Sequence, residues 1–180
     1  MASPALMTAD ELLRVTMPGK RVELVRGVLQ VREPPGYRHN RVMSELARVL
    51  GNYALHHGLG RVLAGDTGFR IGTDPDTVRG PDVAFVPRDR EPEPSLRGFP
   101  AMAPDLVVEV VSHHDHPGEV LAKVGDWLTG GARLVWVIDP ERRLARVYRA
   151  DGSEAMVAAD GTLEGEDVLP GFSCPLASIL

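Results

Sequence analysis

Two acidic residues lie within or beside the most apolar runs of this chain, and they constrain its fold more than any other feature. Asp82 directly precedes the run 83–86, and Glu109 lies inside the run 106–111. Short aliphatic runs of this kind are typical of strands buried in a sheet. A carboxylate inside such a run is costly to remove from water unless a partner compensates its charge. A divalent metal ion is one such partner, and Glu109 is therefore the residue to explain.

The order of the predicted elements is helix, hairpin, helix, and then strands joined by one crossover helix. We predict helices at 8–15, 39–57 and 118–129. We predict a hairpin over 21–31 that turns near Arg26-Gly27, one or two strands around Gly65-Asp66 within 61–71, strands at 82–86, 105–111, 133–138 and 144–149, and short strands in 154–180. A turn at 73–76 and a surface loop over 88–103 connect these elements. Because no linker or internal repeat interrupts this order, we predict a single domain over 1–180. The fold class that this order indicates is α/β or α+β around a mixed sheet.

Composition and charge exclude several classes of protein. No apolar run approaches the roughly 20 residues that cross a bilayer, so we expect no membrane partner. The N-terminus has no basic region followed by an apolar block, so we expect no secretory signal. The single cysteine, Cys174, fits a reducing compartment, and we therefore expect a cytoplasmic protein. The net charge of -5 argues against a strong nucleic-acid binder that relies on overall charge, but it does not exclude a local basic patch.

Alternation along a strand predicts where the two acids point. In the run 106–111, Glu109 shares a face with Val107 and Val111, and one of the predicted helices could cover that face. If the strand that follows Asp82 is a neighbour, the two carboxylates can converge on one site. Such hard oxygen ligands suit Mg²⁺ or Mn²⁺. Two alternatives stay open at this point, because Asp82 could be an ordinary turn aspartate and Glu109 could pair with an arginine.

The loop 112–117 is rich in metal-binding residue types, with His113-His114-Asp115-His116 in sequence. A zinc site would need further ligands that converge from another segment, and no other segment has a recognised spacing. We predict instead that this loop starts the following helix, with Asp115 as its cap. Ser112 is a candidate phosphate contact, with an ordinary loop serine as the alternative.

Several motifs, taken together and in order, resemble the Uma2 family of restriction-endonuclease-like proteins, within the PD-(D/E)XK nuclease superfamily. The matching stretches are spread along nearly the whole chain: RVELVRG at 21–27, HN at 39–40, RGPDVA at 79–84, APDLVVEVVS at 103–112, GEVLAK at 118–123, Trp127 with Gly130-Gly131, VWVIDP at 135–140 and VLPGF at 168–172. The resemblance implies a restriction-endonuclease-like core, a central mixed β-sheet flanked by helices. It also implies a metal-dependent endonuclease that hydrolyses phosphodiester bonds of DNA with Mg²⁺ or Mn²⁺.

The resemblance also implies roles for individual residues. Asp82 and Glu109 would hold the metal ion together with the main-chain carbonyl of Val110. Glu23 would lie near the metal site, although an exposed carboxylate in the hairpin is the alternative for this residue. His39 would line the cleft, although a histidine at a helix start is more often a surface residue. The local basic patch would come from arginines near the cleft: Arg21, Arg38, Arg41, Arg70 and Arg79.

One departure from the superfamily pattern concerns the lysine that normally follows the glutamate by two residues. That position is Val111 in this chain. The resemblance to Uma2 places the lysine on the following helix instead, as Lys123, from where it could reach back over the site. Lys20 and Lys123 are the only two lysines in the chain. Two interpretations of Lys123 therefore stay open with equal weight: a role at the site, and an ordinary solvated lysine on a helix.

Three functions compete at this stage. The first is the endonuclease, with Asp82, Glu109, Lys123 and Glu23 as its catalytic residues. The second is a catalytically silent module on the same fold with a binding, regulatory or dimerisation role, which the missing strand lysine and the modest basic content favour. The third is a homodimeric structural protein without a ligand, in which arginines would fill the space between Asp82 and Glu109.

Overall fold

The computed structural model of the chain describes residues 6–65, 67–113 and 115–180. Its α-helices are α1 (Ala9–Leu12), α2 (Tyr37–His56) and α3 (Pro117–Thr129). Its strands, in chain order, are β1 (Arg21–Val25), β2 (Val28–Arg32), β3 (Gly60–Ala64), β4 (Phe69–Gly72), β5 (Thr77–Arg79), β6 (Val83–Pro87), β7 (Leu106–Val110), β8 (Leu134–Asp139), β9 (Leu144–Arg149), β10 (Glu154–Ala158), β11 (Thr162–Glu164) and β12 (Ser173–Pro175). Short 3-10 helices follow β6 and β12.

The central sheet has six strands in the order β10-β9-β8-β7-β6-β3. Its strands are antiparallel except for β7 and β8, which are parallel and are joined by α3. A parallel pair requires such a crossover, because the chain must return to the same end of the sheet before the second strand starts. The result is the mixed sheet that the element order predicts, flanked by helices as the family resemblance implies.

Each face of the central sheet packs against one long helix. Alternate β7 residues, including Leu106 and Val108, meet the buried face of α2, where Val42, Leu46 and Leu50 follow helical spacing. On the opposite face, Val107 packs with Trp127 of α3. Alternation along β7 therefore directs Glu109 towards α3.

A second sheet, in the order β2-β1-β5-β4, lies beside the first and carries Glu23 on β1. The hairpin of β1 and β2 turns at Arg26 and Gly27, both of which have positive φ angles of 48° and 75°. Two successive positive φ angles match the twist of a tight hairpin, and glycine at the second position adopts them without steric cost. The predicted hairpin over 21–31 is therefore confirmed within one residue.

Most of the other predicted elements agree with the structure, and the differences are local. The first helix ends at Leu12 rather than 15, although its capping box of Thr8 and Glu11 is present. Strand β5 was not predicted, because three residues are too few to show a pattern. Asp115 does not cap α3: the cap position is His116, and the Asp115 carboxylate accepts a hydrogen bond from the Ser112 amide instead. Asp66 and His114 lie outside the described residues.

Among the residues that the structure describes, no helix combines the length and apolarity that crossing a bilayer requires.

We predict that Gly60→Ala destabilises the protein by about 2–4 kcal/mol. Gly60 pairs with Pro87 at the sheet edge, has a φ of 154°, and would place an added Cβ 2.1 Å from the Val86 carbonyl oxygen. Gly125→Ala on α3 is the matched control, since beyond its chain neighbours and its own helix backbone the Cβ would meet no described atom within 4 Å. It should raise stability by about 0.5–1 kcal/mol. Urea denaturation measures both, and equal effects would contradict this account of Gly60.

Candidate active site

A cleft of about 560 Å³ lies between the two sheets and the start of α3. Four ionisable residues of interest line it, and they come from four segments: Glu23 from β1, Asp82 from the turn before β6, Glu109 from β7 and Lys123 from α3. The structure therefore brings together the residues that the sequence singled out.

Glu109 is 7% exposed, and each of its carboxylate oxygens accepts a hydrogen bond from α3. Lys123 Nζ lies 2.9 Å from Oε2, and the indole nitrogen of Trp127 lies 2.8 Å from Oε1. Burial raises the pKa of Glu109 to about 7, with Asp82 and Glu23 acting in the same direction and Lys123 opposing them. The carboxylate is therefore held in place at considerable electrostatic cost.

Asp82 is 2% exposed and accepts hydrogen bonds from three sides. The amide of Val110 donates to Oδ2 at 2.7 Å, His39 Nε2 lies 3.1 Å from the same oxygen, and Arg21 donates to Oδ1 at 3.2 Å. Burial opposes ionisation, but His39, Lys123 and Arg21 outweigh it and lower the pKa of Asp82. The amide contact ties Asp82 directly to the strand that carries Glu109.

Lys123 uses its ammonium group to bridge three segments. Nζ lies 2.9 Å from Glu109 Oε2, 3.1 Å from Glu23 Oε1 and 3.0 Å from the Gly80 carbonyl oxygen. Burial lowers the pKa of Lys123, but the charges of Glu109, Glu23 and Asp82 outweigh it and raise the pKa above its ordinary value. Lys123 is therefore a protonated hydrogen-bond donor at neutral pH.

A buried arginine, Arg79, fixes the Glu23 carboxylate by an ion pair. The arginine is 5% exposed, and its Nη1 donates to Glu23 Oε2 at 2.9 Å, while Nε and Nη2 donate to Asp126 Oδ2 at 3.0 and 2.6 Å. The amide of Gly80 adds a hydrogen bond to Glu23 Oε1 at 2.8 Å. Burial raises the pKa of Glu23, but Lys123 and Arg79 outweigh it and lower the pKa. Glu23 is therefore a fixed, ionised carboxylate.

A model of the Uma2 family, described as "Putative restriction endonuclease", matches residues 9–177. The chain belongs to the Uma2 family. A similar solved structure is that of a putative nuclease belonging to DUF820 from Anabaena variabilis, with a TM-score of 0.85, 19% identity, and coverage of 96% of this chain and 97% of that chain. At this identity the likeness shows the fold, and it confirms the predicted fold class. No curated protein matches the chain.

In this Uma2 chain the lysine of the cleft, Lys123, lies on helix α3 and not on the strand that carries Glu109. Val111 lines the same cleft but carries no charge, whereas Lys123 reaches Glu109 from the second turn of α3. The crossover from β7 to β8 places α3 over Glu109, so a lysine on this helix can approach the glutamate without lying on the strand.

Some of the remaining predicted residues of this Uma2 chain line the cleft and others do not. His39, Val110 and Ser112 line it, and His39 is buried against Asp82 rather than exposed at the helix start. Arg79 does not line it, because both edges of its guanidinium are turned to Glu23 and Asp126.

Sequence reasoning missed two residues that organise the site. Trp127 contacts Glu109, and Asp126 holds Arg79, yet no site role was predicted for either residue from the sequence. A signal was present: Lys123, Asp126 and Trp127 have the spacing i, i+3 and i+4, which places them on one face of a helix.

The side chains of the cleft suit a hard divalent cation. Within the described ranges, no group of three or more His, Cys, Asp or Glu side chains converges closely enough to hold a metal ion. Two carboxylates with a main-chain carbonyl are a different ligand set, and Mg²⁺ commonly takes one or two carboxylates while keeping several waters. Each oxygen of Glu109 accepts one protein hydrogen bond and has a further lone pair, so the donor chemistry fits such an ion.

Proposed function

We propose that this chain is a metal-dependent endonuclease that hydrolyses phosphodiester bonds of DNA, with Mg²⁺ or Mn²⁺ as its cofactor. The observation that carries the proposal is the convergence of Asp82, Glu109 and Lys123 in one cleft from three separate elements. Membership of a family whose description is "Putative restriction endonuclease" supports the same class of reaction.

The residues that would hold the ion are Asp82, Glu109 and the main-chain carbonyl of Val110. A bound divalent ion polarises a phosphoryl oxygen and lowers the pKa of a bound water. The raised pKa of Glu109 supports this assignment, because burial beside Asp82 and Glu23 favours the neutral acid, and a cation at this carboxylate restores the charged form.

Lys123 would stabilise the negative charge that develops on the attacked phosphate. Its raised pKa keeps the ammonium protonated, so it acts as a donor and not as a general base. Glu23 supports this function by holding one side of Nζ at 3.1 Å.

The substrate would enter along the side of the cleft that His39 and Ser112 line. Arg38 and Arg41 are exposed on the first turns of α2, on either side of His39 in the sequence, and we assign contacts with the DNA backbone to them. Arg79 receives a positioning role towards Glu23, in place of the substrate contact that the sequence suggested, because its guanidinium is buried between two acids.

Nicking of supercoiled plasmid DNA tests the proposal. The purified chain should convert supercoiled to open-circular DNA with Mn²⁺ or Mg²⁺, and excess EDTA should stop the reaction. Activity that persists in EDTA, or no cleavage of any DNA with either ion, would contradict the proposal.

We predict that Lys123→Met lowers the nicking rate about 10²–10³-fold, the loss typical of removing one donor that stabilises transition-state charge. Lys20→Met is the matched control, since it removes the other lysine of the chain, which pairs with Glu33 at the exposed rim. Its effect should be much smaller. Circular dichroism verifies that both variants are folded, and similar rates for the two would exclude a specific role for Lys123.

The catalytically silent module is the second candidate, and one observation favours it. Every carboxylate oxygen of Glu23, Asp82 and Glu109 already accepts a hydrogen bond from the protein itself. A thermal shift assay separates the two functions, because an ion that binds only the folded chain raises its melting temperature. No shift with Mn²⁺ would favour the silent module, for which homodimerisation in the cytoplasm stays a prediction.

A further inference from the structure

The indole of Trp127 is fully buried behind Glu109, and its nitrogen donates a hydrogen bond to Oε1 at 2.8 Å. We propose that Trp127 is a positioning residue that fixes the Glu109 carboxylate for metal binding. This inference rests on the proposed function, because it assigns a partner to one of the proposed metal ligands.

The two oxygens of Glu109 have different neighbours. Lys123, which lines the cleft, contacts Oε2, whereas Trp127, which does not line it, contacts Oε1. Two donors on opposite oxygens determine the rotation of the carboxylate about its last bond. Because Oε1 is bonded to Trp127, Oε2 is the Glu109 oxygen that lies beside Lys123, which lines the cleft.

The indole suits this task because it is rigid and neutral. Trp127 packs edge-on against Phe69, with ring centroids 6.4 Å apart, and belongs to the buried cluster around Val107 and Val135. Its N–H can only donate, so it holds a carboxylate oxygen in one geometry. Unlike an arginine, it brings no full positive charge that would compete with a divalent cation for Glu109.

The chain contains its own matched control in Trp136. This second tryptophan is also fully buried, on β8, but its indole nitrogen has no hydrogen-bond partner among the residues that the structure describes. Trp127→Phe and Trp136→Phe therefore remove similar ring volume from the core, and only the first removes a hydrogen bond to an acid. The difference between the two variants reports the hydrogen bond, because the packing loss is common to both.

The first experiment uses the metal-free protein. In a ¹H–¹⁵N NMR spectrum, Glu109→Gln should shift the indole resonance of Trp127 and leave that of Trp136 nearly unchanged. Trp127→Phe and Trp136→Phe assign the two resonances, since each removes one of them. An unchanged Trp127 resonance in Glu109→Gln would overturn the proposal without any measurement of activity.

The second experiment measures Mn²⁺ affinity from the free-ion signal in electron paramagnetic resonance. Trp127→Phe should weaken binding about 10–100-fold, as loss of a partner to a metal ligand typically does, while Trp136→Phe should bind like the parent. Equal affinity of Trp127→Phe and the parent would overturn the positioning role and leave the nuclease proposal intact. A parent chain that neither binds Mn²⁺ nor cleaves DNA would overturn both.

Discussion

The Asp82→Asn variant is expected to cleave DNA at least about 10³-fold more slowly than the parent chain, which corresponds to about 4 kcal/mol of transition-state stabilisation. Asparagine keeps the size of the side chain but removes the charge that a divalent ion requires. Asp82 also receives hydrogen bonds from Val110 and His39, so the substitution weakens the link between the turn and β7. Plasmid nicking at saturating Mn²⁺ measures the loss.

Asp105→Asn is the control for this prediction. Asp105 also directly precedes a central strand and is 3% exposed, but it pairs with Arg90 and Arg133 and does not line the cleft. Its replacement should lower stability without a comparable loss of the cleavage rate per folded molecule. Equal losses in the two variants would mean that the activity reports folding and not the site.

The Arg79→Met variant is expected to lose about 3–5 kcal/mol of stability, because it leaves buried acids without their partner. Arg79 contributes three hydrogen bonds, one to Glu23 and two to Asp126, inside the protein. Removing it also frees Glu23 beside Lys123, so the nicking rate should fall as well. Guanidinium denaturation measures the free energy of unfolding.

Arg26→Met is the control for Arg79→Met, since Arg26 contacts the same Asp126 at 3.8 Å from a side chain that is 75% exposed. An exposed ion pair of this kind contributes at most about 1 kcal/mol. If Arg26→Met destabilised the protein as much as Arg79→Met, the buried position of Arg79 would not explain its contribution.

The central strands and the two acids could be predicted because their signals are local. The run 106–111 is apolar on both faces except for Glu109, and Asp82 stands directly before the run 83–86. Alternation then gives the face of Glu109, and the order of strands and helix gives the crossover through α3. The family membership adds Lys123, which no periodicity alone would have selected.

Apart from Lys123, the partners of the buried acids could not be predicted, because they depend on contacts between distant segments. Arg79 and Glu23 meet only when β5 pairs beside β1, and β5 is three residues long. His39 reads as a surface residue at a helix start, but α2 begins against the turn that carries Asp82, which buries the imidazole. Tertiary packing therefore decides which charges are held inside.

Anomalous diffraction from a crystal soaked in Mn²⁺ tests the central claim most directly, since it locates the ion and its ligands together. We predict one strong peak in the cleft, from an ion that carboxylate oxygens of Asp82 and Glu109 bind. Saturating Mn²⁺ that leaves this position empty, with both acids still bonded only to protein donors, would contradict it.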